Sequence, residues 1–423
     1  MSTSAEPRGG VRNPDRSLAR AIQGVTAGPL GVYQSAVVRI GVSATYLLFL
    51  LRELPNRREL YGPDGPWRWD MARELIAGND AFTVLMWSDS MLWFESVYGL
   101  TLISAALLML GWRTRVTSVV FMAGVLSLQN RSIFMGDGGD NVIHLMAIYL
   151  VLTRCAQVWS LDARRAAREA AHRAAGHGPA RDVVGPALWA VSGAVLLPAM
   201  AMDGLGGTWW LRTLLGVLWV GNGLWWALRR YAPDRELRTL LDVLANLAHN
   251  AALLVIMAEV CLIYATAGWY KIQGSRWQDG TALYYPLKLD YFAPWPALSG
   301  LLASSALAVM VLTYATVMVQ VAFPFTLFNR RVKNVLLVVM IGEHAGIAVL
   351  LGLPFFSMAM IAADAVFLPT VFLVWLGEKV TFGRRRLVSR ATGRARVPGQ
   401  RRPDDGDQEP LRHGGGGGHT LVG

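Results

Sequence analysis

The chain has 423 residues, of which 53% are hydrophobic and 16% charged, too few polar side chains to coat a soluble globule, so the composition points to an all-α protein embedded in the lipid bilayer. Its formal net charge of +11 raises nucleic acid as a partner, but the arginines stand between apolar runs instead of lining one basic face, which argues against it. Two cysteines, Cys155 and Cys261, in neither CxxC nor CxxH spacing, argue against a disulfide framework and a structural metal.

The first 35 residues carry Arg8, Arg12, Arg16 and Arg20 among Pro, Gly and Ser. With no apolar centre or small-residue cleavage pattern, they are expected to stay in the cytoplasm while the first hydrophobic helix directs insertion. Apolar runs of bilayer-crossing length then follow at about 36–52, 91–110, 115–129, 141–154, 186–202, 208–228, 247–270, 297–327, 333–352 and 355–376. The expected architecture is a polytopic transmembrane helix bundle of about ten helices. The fourth run is short and the fifth contains Pro198, so these two are the ones expected to tilt or turn back. Trp209-Trp210 and Trp225-Trp226, near run ends, suit an aromatic belt at the lipid–water interface.

Short cytoplasmic loops hold an excess of Lys and Arg. With the N-terminus inside, Arg113 and Arg115, then Arg164, Arg165, Arg168 and Arg173, then Arg229, Arg230, Arg235 and Arg238, then Arg330, Arg331 and Lys333 all fall on one side, with Arg384 to Arg386 in the tail. Both termini are therefore expected in the cytoplasm. The first outer loop has Arg57, Arg58 and Arg68 interleaved with Glu53, Glu59, Asp64, Asp70 and Glu74, the pattern of a folded amphipathic loop. Residues from Leu161 to about 175 read as an interfacial or cytosolic helix. The segment 377–423, basic and ending in a glycine run, reads as a disordered cytoplasmic tail.

A charge in the hydrocarbon costs on the order of 2.5–3.5 kcal/mol on insertion scales. Arg39, Glu95, His144, Glu259, Lys271, Glu343, His344 and Asp364 therefore each need a partner, a cavity or a function. An ordinary helix–helix ion pair, Arg39 with Glu95 or Glu259, is the structural expectation. Three stretches stand out for chemistry. The first is Tyr264 to Lys271 followed by Trp277, Gly280, Tyr284 and Tyr285, where Lys271 sits as a helix leaves the membrane. It either snorkels or acts as a base, since loss of water favours a neutral amine. The second is Gln129-Asn130-Arg131 with Gly136 to Asn141, whose acids do not match a calcium loop and in which Asp140 or Asn141 is expected to cap the next helix. The third is Glu343-His344 with Gly352 to Ser357 and Asp364. Neighbouring residues point about a third of a turn apart, so at most one of Glu343 and His344 need face a common site.

At these stretches the sequence resembles the vitamin K-dependent gamma-carboxylases and their bacterial relatives, the horizontally transferred transmembrane (HTTM) domain proteins, including the sporulation-delaying protein B-like branch. The resemblance runs in order through Val38-Arg39-Ile40-Gly41, Asn130-Arg131, Gly138 to Asn141, Trp159 to Asp162, Tyr264 to Lys271, Trp277 to Tyr285, and His344 with Leu353 to Ser357. It makes 36–376 an HTTM-like domain with an additional hairpin near 186–228. It implies that Lys271 and His344 are catalytic, with Lys271 as the base toward a vitamin K hydroquinone-like quinol, and that Asn130, Arg131, Asp140, Asn141, Trp277 and Tyr284 line the substrate site. The large lumenal domain with which the animal enzyme recognises its protein substrate has no counterpart after the last span, and Tyr270 replaces a lysine.

Two functions follow: a quinol-dependent carboxylase- or oxygenase-like membrane enzyme, or a non-catalytic maturation, export or immunity factor for a secreted peptide acting with a soluble partner. A small-molecule transporter is a third, disfavoured by the lack of an apparent inverted repeat.

Overall fold

The computed structural model describes residues 14–178, 182–202, 209–232 and 235–393. The described residues form helices and turns with no strand: α1 (Pro14–Ala27), α2 (Val32–Glu53), α3 (Arg57–Tyr61), α4 (Trp69–Ala77), α5 (Met91–Leu110), α6 (Thr114–Arg131), α7 (Gly138–Leu152), α8 (Leu161–Ala174), α9 (Val184–Ala201), α10 (Trp209–Tyr231), α11 (Glu236–Gln273), α12 (Ser275–Gln278), α13 (Tyr284–Lys288), α14 (Pro296–Ser304), α15 (Ala306–Ala322), α16 (Arg330–Leu350), α17 (Pro354–Asp364) and α18 (Thr370–Gly393). The main unit ends at Leu373, and the chain from Val374 onward forms a second. α18 carries the helical path past the expected start of the tail, while 394–423 and 1–13 lie outside the described residues.

Each of the ten apolar runs is mostly helical among the described residues, but fewer have the length and composition to cross a bilayer. Six helices do, α2, α5, α9, α11, α15 with the turn that extends it, and α16, or seven if Pro354–Phe367 and Thr370–Gly383 together form one broken span. Several long apolar helices are the mark of a membrane-embedded protein, and the expectation of ten spans is reduced for identifiable reasons. α6 ends on Gln129, Asn130 and Arg131. α7 has 15 residues and reaches about 22 Å at ~1.5 Å per residue, short of a ~30 Å core. α10 carries Arg212, Asn222, Arg229 and Arg230. The run 297–327 breaks at Ser305, whose hydroxyl caps α15 by accepting from the Ala308 N–H.

α2 is the central helix, lying between α5 and α17, with α6 and α7 completing the core. Close approach depends on small residues: a Cβ on Gly41 would stand 2.5 Å from Ala362 Cβ, and one on Gly139 would stand 2.7 Å from Phe356 Cα. Arg39, fully buried on α2, has a different partnership from the expected ion pair. It donates to the Leu108 (2.5 Å) and Met109 (2.7 Å) carbonyls at the end of α5, and to those of Cys155 (3.2 Å) and Trp159 (2.9 Å). These include orphan carbonyls of a helix C-terminus, which want a cation. Glu95 instead pairs with Arg57 and Arg58, and Glu259 accepts from the Tyr149 hydroxyl at 3.4 Å.

With 38 residues, α11 is about 57 Å long at ~1.5 Å per residue, more than one span. Its polar first half works as a bracket. Asn246 and Asn250 donate to the carbonyls of Thr26, Val25 and Gly28, and Arg154 Nη1 donates to Asn246. His249 Nδ1 accepts from the Arg154 N–H at 2.8 Å, so its protonated Nε2 donates to the Leu30 carbonyl at 2.7 Å. The hairpin of α9 and α10 is zipped by Trp189 and Trp219, stacked with centroids 4.5 Å apart, each indole N–H donating to the other residue's carbonyl. Gly193 and Gly223 leave room for the two rings. At its base, Arg113 binds Asp182 through both terminal nitrogens, and this pair holds the Asp182 carboxyl well below its usual range, at about 2.

Candidate functional site

The site forms where α11 ends against α15, α16 and α17. Tyr264, Gly268 and Lys271 share one face of α11 by their spacing. A Cβ at Gly268 would meet Val321 Cγ2 at 2.6 Å, so the glycine allows α15 to approach and brings Gln320 level with Lys271. Lys271 Nζ donates to Gln320 Oε1 at 2.7 Å, and Gln320 Nε2 donates to Glu343 Oε1 at 2.5 Å. Thus one amide joins an amine on α11 to a carboxylate on α16. Lys271 is half-buried, and Glu343 stands about 20 Å along α16 from Arg330 at ~1.5 Å per residue. The amine is thus partly screened from water by the side chains of α15 and α16.

A second chain lies beside the first. Tyr264, buried on α11, donates its hydroxyl proton to Asp364 Oδ2 at 2.9 Å and lies 3.0 Å from His344 Nε2. With that proton on the Asp364 side, His344 must carry hydrogen on Nε2, and Nδ1 becomes a lone-pair acceptor. His344 Nδ1, Asp364 Oδ1 and Ser357 Oγ are all buried without a hydrogen-bond partner. A buried polar atom left so is costly. Glu343 and His344, expected to divide between site and scaffold, both take part, each in a different chain.

The structure places the remaining candidate residues as follows. Trp277, just beyond the end of α11, sets its ring 5.2 Å from Lys271 Nζ. Tyr284 is 43% exposed and has Tyr285 and Lys288 as its aromatic and cationic neighbours. Asn130 donates to the Phe82 carbonyl, and Arg131 to those of Gly62 and Trp67, so both grip the segment between α2 and α5, which folds into α3, α4 and a turn. The cap of α7 is Asp137, not Asp140 or Asn141. Asp137 Oδ1 accepts from the Gly139 and Asp140 N–H groups while Asp140 Oδ2 accepts from the Asp137 N–H. This capping box works because the aspartates are three apart. Asn141 is exposed. The Asp137 turn is linked to the site through Phe356, which backs Gly139 and lies 5.6 Å from the His344 ring. Lys271, His344 and Trp277 thus come together, while Asn130 and Arg131 belong to a neighbouring corner.

Gln320 carries no charge to mark it in the sequence, although an amide within the run Ala306 to Ala322 is itself expensive in lipid. Tyr264 was visible only as part of a motif. Among the described residues no three His, Cys, Asp or Glu side chains gather as metal ligands would. Models of known protein families, curated proteins and solved structures offer no match to this chain.

Proposed function

We propose that this is a membrane enzyme that takes a proton from a lipid-soluble, quinol-type hydroxyl, with Lys271 as the base. The observation that carries this reading is the Lys271 amine held by Gln320 beside Trp277 and next to the buried Tyr264, His344 and Asp364 chain. A quinol supplies an ionisable hydroxyl and two electrons. The residues fit such a group: Trp277 offers a flat aromatic face, and His344 Nδ1 and Asp364 Oδ1 are unmet acceptors for hydroxyl protons. The chain's own part is limited and definite. A neutral Lys271 accepts the proton on Nζ, and the ammonium so formed stays on Gln320 Oε1, with the Gln320 amide between it and the Glu343 carboxylate. The resemblance to the gamma-carboxylase family supports the same role for Lys271 and extends it to oxygen- and carbon dioxide-dependent chemistry. By the distribution of arginines, the end of the bundle that holds Arg39, Arg113, Arg154 and Arg330 faces the cytoplasm, and the protein is a multi-pass component of the cell membrane.

Lipid extracts of the purified protein test the reading. They are expected to contain a quinone-class lipid at close to one equivalent, above the level in an unrelated polytopic protein purified in parallel. A water-dispersible naphthohydroquinone should displace it. No enrichment, together with no saturable binding of the naphthohydroquinone, would overturn the proposal.

A further inference from the structure

Arg131 is 1% exposed and forms part of the wall of a small pit lined by Tyr61, Pro63, Trp69, Leu85 and Ser90, with room for about one water-sized occupant. Its Nη2 is satisfied by the Gly62 and Trp67 carbonyls at 2.8 Å each. Its Nη1 is buried with no hydrogen-bond partner. Among the described residues no carboxylate lies within ion-pair distance of it, and where the equally buried Arg39 has four carbonyl acceptors, Arg131 has two. Two carbonyl dipoles do not neutralise a desolvated guanidinium, and an uncompensated buried charge is costly.

The surroundings agree in sign. Ser90 is the N-cap residue of α5 yet makes no side-chain cap bond, and Phe94 from the first turn of that helix also lines the pit. The helix therefore adds the positive end of its dipole to the guanidinium. The mouth is polar and partly open, with Ser90 exposed and Ser88 half-buried.

We infer that this pit binds a small inorganic monoanion of halide size, paired with Arg131 Nη1 and reached past Ser88 and Ser90. The site is separate from the Lys271 cluster and ties down the first outer loop by neutralising the cation that holds it. It stands whether or not the protein handles quinols.

The test is the melting temperature of the full chain in nanodiscs, titrated with sodium chloride or bromide against sodium gluconate, an anion too large for the pit, at constant ionic strength. The wild type should gain about 2 °C in halide, with saturation. Arg131→Gln removes the grip on Gly62 and Trp67 as well, so the decisive variant is Ser90→Glu, which leaves those bonds intact and offers the pit its own carboxylate. It should melt at the same temperature in halide and in gluconate. A wild type indifferent to the choice of anion would overturn the proposal, and so would a Ser90→Glu protein that responds to halide as strongly as the wild type does.

Discussion

Replacing Arg39 by methionine keeps most of the side chain's length and apolar bulk but removes every donor from a fully buried position. Four carbonyls, those of Leu108, Met109, Cys155 and Trp159, lose their partner together. Hydrogen bonds from a charged donor contribute about 1.5–3 kcal/mol each, which would sum to far more than a single substitution delivers. The guanidinium's own desolvation, several kcal/mol, offsets much of that sum. What remains is the cost of carbonyls stranded away from water, and the expected loss is about 3–5 kcal/mol. Arg39→Lys, with three donors on a point charge in place of a planar fork, should recover only part of it. Reversible unfolding in mixed micelles by SDS titration, followed by tryptophan fluorescence, measures the difference. A loss below about 1 kcal/mol for Arg39→Met would show that these four carbonyls find other partners and that the arginine does not staple α2 to the turns it touches.

Asp182 gives a pH test. Arg113 holds its carboxyl down from 3.8 to about 2 in the folded protein. Its stabilisation is therefore complete above pH ~4 and is lost as the pH falls from about 4 to about 2, contributing about 1 kcal/mol after solvent screening. The melting-temperature gap between wild type and Asp182→Asn should close over that window, and a gap that stays constant would contradict the ion pair. Gly41→Ala, which drives a methyl to 2.5 Å from Ala362 Cβ, should cost about 1–3 kcal/mol. Gly99→Ala in α5, with no atom within 4 Å of the added carbon, should be neutral or stabilising by about 0.5–1 kcal/mol. Equal effects at the two glycines, in the same unfolding assay, would refute the close approach of α2 and α17.

Local apolar periodicity made most helices legible. The run 91–110 matches α5 at both ends because Ser90 and Gly111 bound it, the latter in the left-handed conformation that glycine allows. Breaks inside runs are marked by single residues, Ser305 before α15 and Pro369 before α18, which average hydropathy passes over. The extension of α11 back to Glu236 is hidden because its first turns carry Glu236, Arg238 and Asp242 and are largely exposed, where hydropathy gives no signal. Arg39 in an apolar run needs a partner, but backbone carbonyls leave no trace in a sequence, which therefore points to an acidic partner in their place. In the site, Lys271 and His344 were singled out by charge and motif. Gln320, the residue that joins the amine to Glu343, is set by the register of α15 against α11, and only Gly268 facing Val321 fixes that register.

Oxygen consumption during oxidation of the naphthohydroquinone by protein in nanodiscs tests the role of Lys271 most directly. Wild type should accelerate it over empty nanodiscs, and Lys271→Ala, folded to the same extent by its unfolding curve, should lose at least about 100-fold of that acceleration, the usual scale for removing a general base. Undiminished turnover in Lys271→Ala would show that this amine is not the base.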